Sequence, residues 1–261
     1  MNAPNIAHLR PCAVLAFAVA TFPLFADERL EQIISREDGN FNCSAASLNV
    51  GRDGMVYLCS GGNNSYVVRV GRDGNGKFGQ PIVYAAKNAT ANADGTIVSA
   101  NGHFAAKVTI YDSTLKQTAE LKDFLVSDAA GWDAPAEVEV GASGDFYGVD
   151  QHRDRILRIS PAGKLLKVYA IPRDPPPPNG QIENIRVCEK TEAFYLLVRG
   201  AGIRCIGFDG KARWSRAANL GGQWYLGSRA FDVDDGGNLH FLENGSDTVK
   251  RFSPENQPLP D

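Results

Sequence analysis

Apolar and polar residues alternate along this chain in short runs, and the runs recur. "SLNVGRDGMVYLCS", "ATANADGTIVSA", "VEVGASGDFYGVD", "IRVCEKTEAFYLLV" and "FDVDDGGNLHFLE" each read as an apolar strand, a small-residue turn and a second strand. The turns fall at Gly54, Gly95, Gly144, Thr191 and Gly237, 41 to 49 residues apart. Asp-Gly and Ser-Gly at such places supply the positive φ that a tight hairpin requires. No apolar stripe of helical period runs between the copies.

A second set of runs keeps step with the first. "YVVRVGRDG", "AKVTIYDST", "RILRISPAG", "GIRCIGFDG" and "TVKRFSPEN" place a third strand 14 or 15 residues beyond each turn, at Arg69, Thr109, Arg158, Cys205 and Arg251. Turn-forming residues follow at Gly74, Thr114, Gly163, Gly210 and Asn256. "KFGQPIVYA", "LKQTAELKD", "KLLKVYAIP" and "KARWSRAAN" supply a fourth strand to the first four copies. Four antiparallel strands repeated at this period predict an all-β chain folded as a β-propeller. The expected ring has five four-stranded blades, with a six-bladed or incomplete ring as the alternative. The fifth copy has only "QPLPD" after Asn256, and its prolines cannot donate to a ladder. Residues 30–35, "LEQIIS", are therefore expected to pair with the last blade and close the ring.

Composition sharpens this picture without redirecting it. The chain has 261 residues, 43% of them hydrophobic, which is enough to bury a substantial core. Its formal net charge of -3 gives no basic balance for nucleic acid or an anionic membrane surface. Residues 13–25, "AVLAFAVATFPLF", are apolar, follow Arg10 and are too short to span a bilayer comfortably. They read as a secretory signal peptide cleaved after Ala20 or Ala26, the alternative being a buried N-terminal strand or helix. The expected organisation is a signal peptide over 1–26 and one propeller domain over 27–261. Such a protein is secreted or periplasmic, with no membrane span after cleavage. Cys43, Cys59, Cys188 and Cys205 remain, an even count that permits disulfides in an exported chain. Nearness in sequence pairs Cys43 with Cys59 and Cys188 with Cys205; three connectivities exist, and free buried thiols are the other reading.

The third copy, "VEVGASGDFYGVDQHRDRILRISPAGKLLKVY", resembles the blade of NHL-type β-propellers, with Tyr147, Asp150, Arg155, Ile156 and Gly163 in register. The fifth copy follows with Asp247 and Arg251. The resemblance implies that Asp150 and Arg155 make turn and inter-blade contacts, so the charged run around His152 is a structural loop and not a reaction centre. Resemblance specifies fold better than activity.

In a propeller the residues just before each innermost strand converge at one end of the channel. Counting back three and four places from Val50, Ala91, Val140, Val187 and Val233 selects Asn88, Glu137, Asn184 and Glu183 as the oxygen donors. Such donors suit Ca²⁺ or another divalent cation. They look like the channel-mouth constellation of gluconolactonase-like propellers, which implies a cation that polarises a lactone carbonyl and activates water. The Asn-Gly pair of that family's signature is absent, and solvated polar rim residues are the plainer reading. Arg199 and Arg229 fall at comparable heights, and the loops "DAAGWDAP" and "NLGGQWYLG" carry Trp132 and Trp224, which suit contact with a glycan or peptide. No GxSxG elbow, phosphate loop or HExxH motif is present. His240 occupies a repeat position held by Tyr57 and Tyr147 and reads as a packing substitute. The expectation is a binding scaffold for a protein, glycan or small molecule. The rival is a divalent-metal-dependent hydrolase or lyase whose candidate ligands are Asn88, Glu137, Glu183 and Asn184.

Overall fold

The computed structural model describes residues 45–60, 66–70, 83–84, 88–101, 107–121, 138–150, 154–172, 182–198, 201–217, 231–242 and 248–260, all within the unit that spans Cys43–Asp261. These residues form strands and turns and no helix. The first sheet holds β1 (Ala45–Val50), β2 (Val56–Ser60), β3 (Tyr66–Val70) and β4 (Val83–Tyr84). The second holds β5 (Asn88–Ala91), β6 (Ile97–Asn101), β7 (Lys107–Tyr111) and β8 (Gln117–Leu121). The third holds β9 (Val138–Val140), β10 (Phe146–Asp150), β11 (Arg155–Ile159) and β12 (Leu165–Ala170). The fourth holds β13 (Ile182–Cys188), β14 (Ala193–Val198), β15 (Gly202–Gly207) and β16 (Ala212–Arg216). The fifth holds β17 (Phe231–Val233), β18 (Leu239–Leu242) and β19 (Val249–Phe252).

Each sheet is an antiparallel meander whose strands follow chain order, and β1, β5, β9, β13 and β17 are successive neighbours. This is a β-propeller, with one sheet per sequence copy. The core lies between blades. Tyr57 packs with Ala89, Ala91 and Ile97, and Val98, Ile110 and Leu121 pack with Val140, Phe146 and Leu157. Tyr147 and Ile156 meet Ile185, Phe194 and Ile206, and Tyr195 and Cys205 meet Phe231, Leu239 and Phe252. Burying each large apolar side chain in these seams stabilises the fold by about 1.5–3 kcal/mol.

The turns correct the sequence register in two places. Glu192, not Thr191, takes the left-handed backbone at φ 49°, because Cys188 and Ala193 add one rung to the β13–β14 hairpin. Leu115, not Thr114, does so at φ 70°, and Ile110, not Thr109, stands opposite Val98 as Arg158 stands opposite Tyr147. At Gly163 (φ 81°) glycine is required twice over, since an added Cβ would lie 2.9 Å from the Ala119 Cβ of the preceding sheet.

The cysteines and the C-terminal edge bear on two further expectations. Cys188 and Cys205 are buried free thiols. β14 lies between their strands, and two strand spacings of about 4.8 Å exceed the roughly 7 Å limit between Cα atoms that a disulfide can bridge. Burial pushes the Cys205 thiol up to about 12, so it is a packing group and not a nucleophile. Cys43 and the Cys59 side chain lie outside the described residues. The free edge of β19 is met by the chain's own C-terminus: Pro258 bridges Phe252, and the Leu259 N–H donates to Arg251 O at 2.9 Å. Proline is tolerated there because it stands at a sheet edge. Residues 30–35, expected at that edge, lie outside the described residues.

Candidate functional site at the propeller axis

Each inner strand carries a polar residue immediately before Val50, Ala91, Val140, Val187 or Val233: Asn49, Thr90, Glu139, Arg186 and Asp232. Strand pairing makes these positions equivalent, because they stand opposite Tyr57, Val98, Tyr147, Tyr195 and His240. Arg186 is the hub. Its Nη1 donates to Glu139 Oε2 at 2.9 Å and its Nε donates to Asp232 Oδ1 at 2.9 Å, joining the third, fourth and fifth sheets. Nη2 reaches Asn49 Oδ1 on the first sheet at 3.5 Å. Asn49 Nδ2 donates to Asn88 Oδ1 and, at 2.9 Å, to Ala89 O; Asn88 Nδ2 donates to Val138 O at 3.3 Å. From the first hairpin turn Arg52 reaches Val140 O at 3.4 Å and Asp235 at 3.5 Å. The polar contacts therefore pass through all five sheets and return to the first.

Burial is uneven across this network. The Arg186 and Glu139 side chains are 13% and 15% exposed, while Asp232 is 75% exposed. Burial pushes the Glu139 carboxyl above the usual carboxylate range, against the opposing pull of Arg186 and of the Val140 N–H. Two guanidinium groups, Arg52 and Arg186, face three carboxylates, Glu139, Asp232 and Asp235. The tight-turn end of the axis is thus occupied by protein groups paired with one another.

One rung toward the other end stand Asn88 and Asn184, 2% and 4% exposed. The Asn184 Oδ1 accepts from the Ile185 N–H at 2.8 Å and from Arg186 Nη1 at 3.0 Å. A bulge sits beside it, because β13 skips Glu183 between the Ile182–Val198 and Asn184–Leu197 pairs. Bulges of this kind re-aim inner-strand side chains next to sites. The Glu183 side chain and all of Glu137, Trp132, Arg199, Trp224 and Arg229 lie outside the described residues. Among the described residues no group of three His, Cys, Asp or Glu side chains stands where it could hold a metal. The Asn88 and Asn184 carboxamide oxygens are engaged by protein donors, one of them cationic, so these two side chains do not fit a cation as they stand.

Sequence reasoning stopped at Asn88, Glu137, Glu183 and Asn184 and missed Asn49, Glu139, Arg186 and Asp232. Their signal was present: a polar residue just before the apolar position Val50, Ala91, Val140, Val187 or Val233 of all five inner strands, where packing between blades alone would favour an apolar one. Of the Asp150 to Arg155 loop, residues 151–153 lie outside the described residues. Arg155 Nε donates to the buried Asp150 Oδ2 at 2.8 Å. His240 Nε2 stands 3.5 Å from the turn residue Asp234, much as the Tyr57 hydroxyl donates to Asp53 at 2.7 Å.

The repeat, the meander order and the polar axis define the chain as a β-propeller. No protein-family model and no curated protein matches it. Solved structures do. Virginiamycin B lyase from Staphylococcus aureus is 17% identical with a TM-score of 0.56, covering 84% of this chain and 70% of that one. A catalytically inactive variant of that enzyme, solved with quinupristin, gives the same values. A streptogramin B lyase is 16% identical with a TM-score of 0.57, covering 82% of this chain and 67% of that one. At such identities the likeness establishes the fold. Among the described residues no helix is long and apolar enough to cross a membrane.

Proposed function

We propose that this chain is an exported propeller that binds a peptide, glycan or other small ligand at the end of the axis away from the tight turns. One observation carries the reading: the tight-turn end is filled by the paired groups of Arg52, Glu139, Arg186 and Asp232. Ligand contacts then belong to the opposite end. Trp132, Arg199, Trp224 and Arg229 stand in the sequence between β8 and β9, β14 and β15, and β16 and β17, connections that leave and rejoin the sheets away from the tight turns. Aromatic and arginine side chains are the usual anchors of such surfaces. The apolar run of residues 13–25 supports export.

The test is a thermal-shift screen of the chain with quinupristin, N-acetylated oligosaccharides and short peptides. A binder at a hundredfold its Kd stabilises by about 2.7 kcal/mol. Trp132→Ala or Trp224→Ala should abolish that shift and leave the melting temperature of the free protein unchanged. A flat response to every probe, or variants that unfold, would overturn the reading.

The likeness to the lyase structures favours a second reading, that the same end cleaves its ligand with the help of a divalent cation. Glu137 and Glu183 are the side chains left to hold it. If so, Ca²⁺ raises the melting temperature and Glu137→Gln with Glu183→Gln removes the rise. Quinupristin incubated with protein and cation then yields a cleaved product by mass spectrometry; intact quinupristin and no thermal shift refute this second reading.

A further inference from the structure

We infer that the junction between the fifth and first sheets binds the carboxylate of a small aliphatic acid, with Arg251 as its anchor. The site is separate from the axis and does not rest on the binding reading above. Phe231, Leu239, Phe241 and Phe252 pack toward the fourth sheet, so strand alternation turns His240, Leu242, Val249 and Arg251 to the opposite face. In the third and fourth sheets that face is covered by the next sheet: Val149, Ile156, Leu197 and Ile203, at the places of Leu242 and Val249, are at most 2% exposed. Leu242 and Val249 themselves are 37% and 49% exposed. Across the junction Val50 is 49% exposed, whereas Ala91, Val140 and Val187 at its place on other inner strands are buried. Arg52 and Asp235 join the two sheets at the tight-turn end, but among the described residues no apolar cluster does.

Charge decides what this apolar junction takes. In the third sheet Arg158, the counterpart of Arg251, donates from Nε to Asp145 Oδ2 at 2.7 Å and holds Nη2 at the same distance from it. The Glu189 carboxylate of the next sheet lies 3.7 Å away. Arg251 has no such carboxylate. Asn238 stands where Asp145 would be, one residue after the turn glycine, and its Nδ2 donates to Asp234 Oδ2 at 2.8 Å. Asp234 is itself held by the Gly236 and Asn238 N–H groups. The Arg251 Nη1 reaches only Pro260 O, at 3.4 Å, and its Nε is buried without a hydrogen-bond partner. A buried guanidinium N–H without an acceptor is costly, and a carboxylate is its best-matched acceptor. A ligand carboxylate in the place that Asp145 takes on Arg158 completes the fork, while its aliphatic chain covers Leu242 and Val249. A cation is repelled by Arg251, and a hydrocarbon without the carboxylate leaves the Nε unpaired.

The experiment is isothermal titration calorimetry of the full chain with sodium octanoate, sodium acetate and 1-octanol, read beside the methyl resonances of Leu242 and Val249. Octanoate should bind saturably, shift both methyl sets, and bind about tenfold or more tightly than acetate, which lacks the chain, or 1-octanol, which lacks the charge. Arg251→Gln should weaken octanoate about tenfold or more, the equivalent of one lost charged hydrogen bond. Asn238→Asp places a carboxylate of the chain's own beside Arg251. It should weaken octanoate equally and raise the melting temperature of the free protein, and it decides the question if Arg251→Gln fails to fold. Binding of 1-octanol as tight as that of octanoate, or octanoate binding undiminished in the folded variants, would overturn the assignment. So would the absence of saturable binding, whether because a second copy or another segment of this chain covers the face; light scattering identifies the second copy.

Discussion

Replacing Arg186 with methionine removes a side chain that reaches the first, third and fifth sheets from the fourth. The change keeps most of the aliphatic volume and deletes the guanidinium. Its main consequence falls on Glu139, 15% exposed, which would be left as a buried carboxylate without its cation. Removing one partner of a buried pair costs about 3–5 kcal/mol, whereas the pair with Asp232, 75% exposed, contributes about 0–1 kcal/mol. For a domain of this size such a loss lowers the melting temperature by about 6–20 °C. Urea unfolding followed by far-UV circular dichroism measures it. The control is Glu139→Gln alone and combined with Arg186→Met: removing the stranded charge should recover at least about 1 kcal/mol relative to the sum of the single changes. An Arg186→Met protein within about 1 kcal/mol of the parent, or a strictly additive cycle, would refute the view that this pair ties the axis together.

Other outcomes follow from the same contacts. Glu192→Gly should raise stability by about 0.5–1 kcal/mol in the same urea assay, because the exposed Glu192 holds a φ of 49° that glycine adopts without strain. Gly163→Ala should lower it by about 1–3 kcal/mol, since the new methyl meets Ala119 at 2.9 Å on a left-handed backbone. Burial alone would raise Glu189, but hydrogen bonds from Ser143 and from the Tyr147 hydroxyl outweigh it and hold the carboxyl below its usual range. The stabilisation from Glu189 is therefore full above the ordinary carboxylate range and is lost as pH falls through it, so the gap between parent and Glu189→Gln should narrow from about pH 6 to about pH 3. Glu139 has the opposite sign: its raised value makes stability fall as pH rises from the ordinary carboxylate range through that value, and Glu139→Gln should remove that slope. Cys188 and Cys205 should react with a thiol reagent only on unfolding, and a reductant should not change the melting temperature through this pair.

The sheets were legible in the sequence because the information is local: alternation sets each strand and a turn residue sets each hairpin. The slips at Glu192 and Leu115 arose where the left-handed position lacks glycine, so the turn rule pointed one residue early. The packing of whole hairpins against neighbouring blades decided those places, and no short window of sequence contains it. The axis was legible in part. Asn88 and Asn184 do stand on inner strands next to it, but their partners are Asn49, 39 residues before Asn88, and Arg186, whose other contacts lie 47, 46 and 137 residues away. Which oxygen is engaged depends on those distant groups. The fifth sheet has three described strands, as the prolines after Asn256 imply, and a single bridge to Pro258 meets its edge.

The most direct test of the proposed binding face is hydrogen exchange, read by mass spectrometry, with and without saturating quinupristin, N-acetylated oligosaccharides and short peptides in turn. The account predicts that at least one probe protects peptides covering 122–137, 199–201 or 217–230 and leaves the tight turns at 51–54, 141–144 and 234–237 unchanged. Protection centred on those turns, or none with any probe, would contradict it.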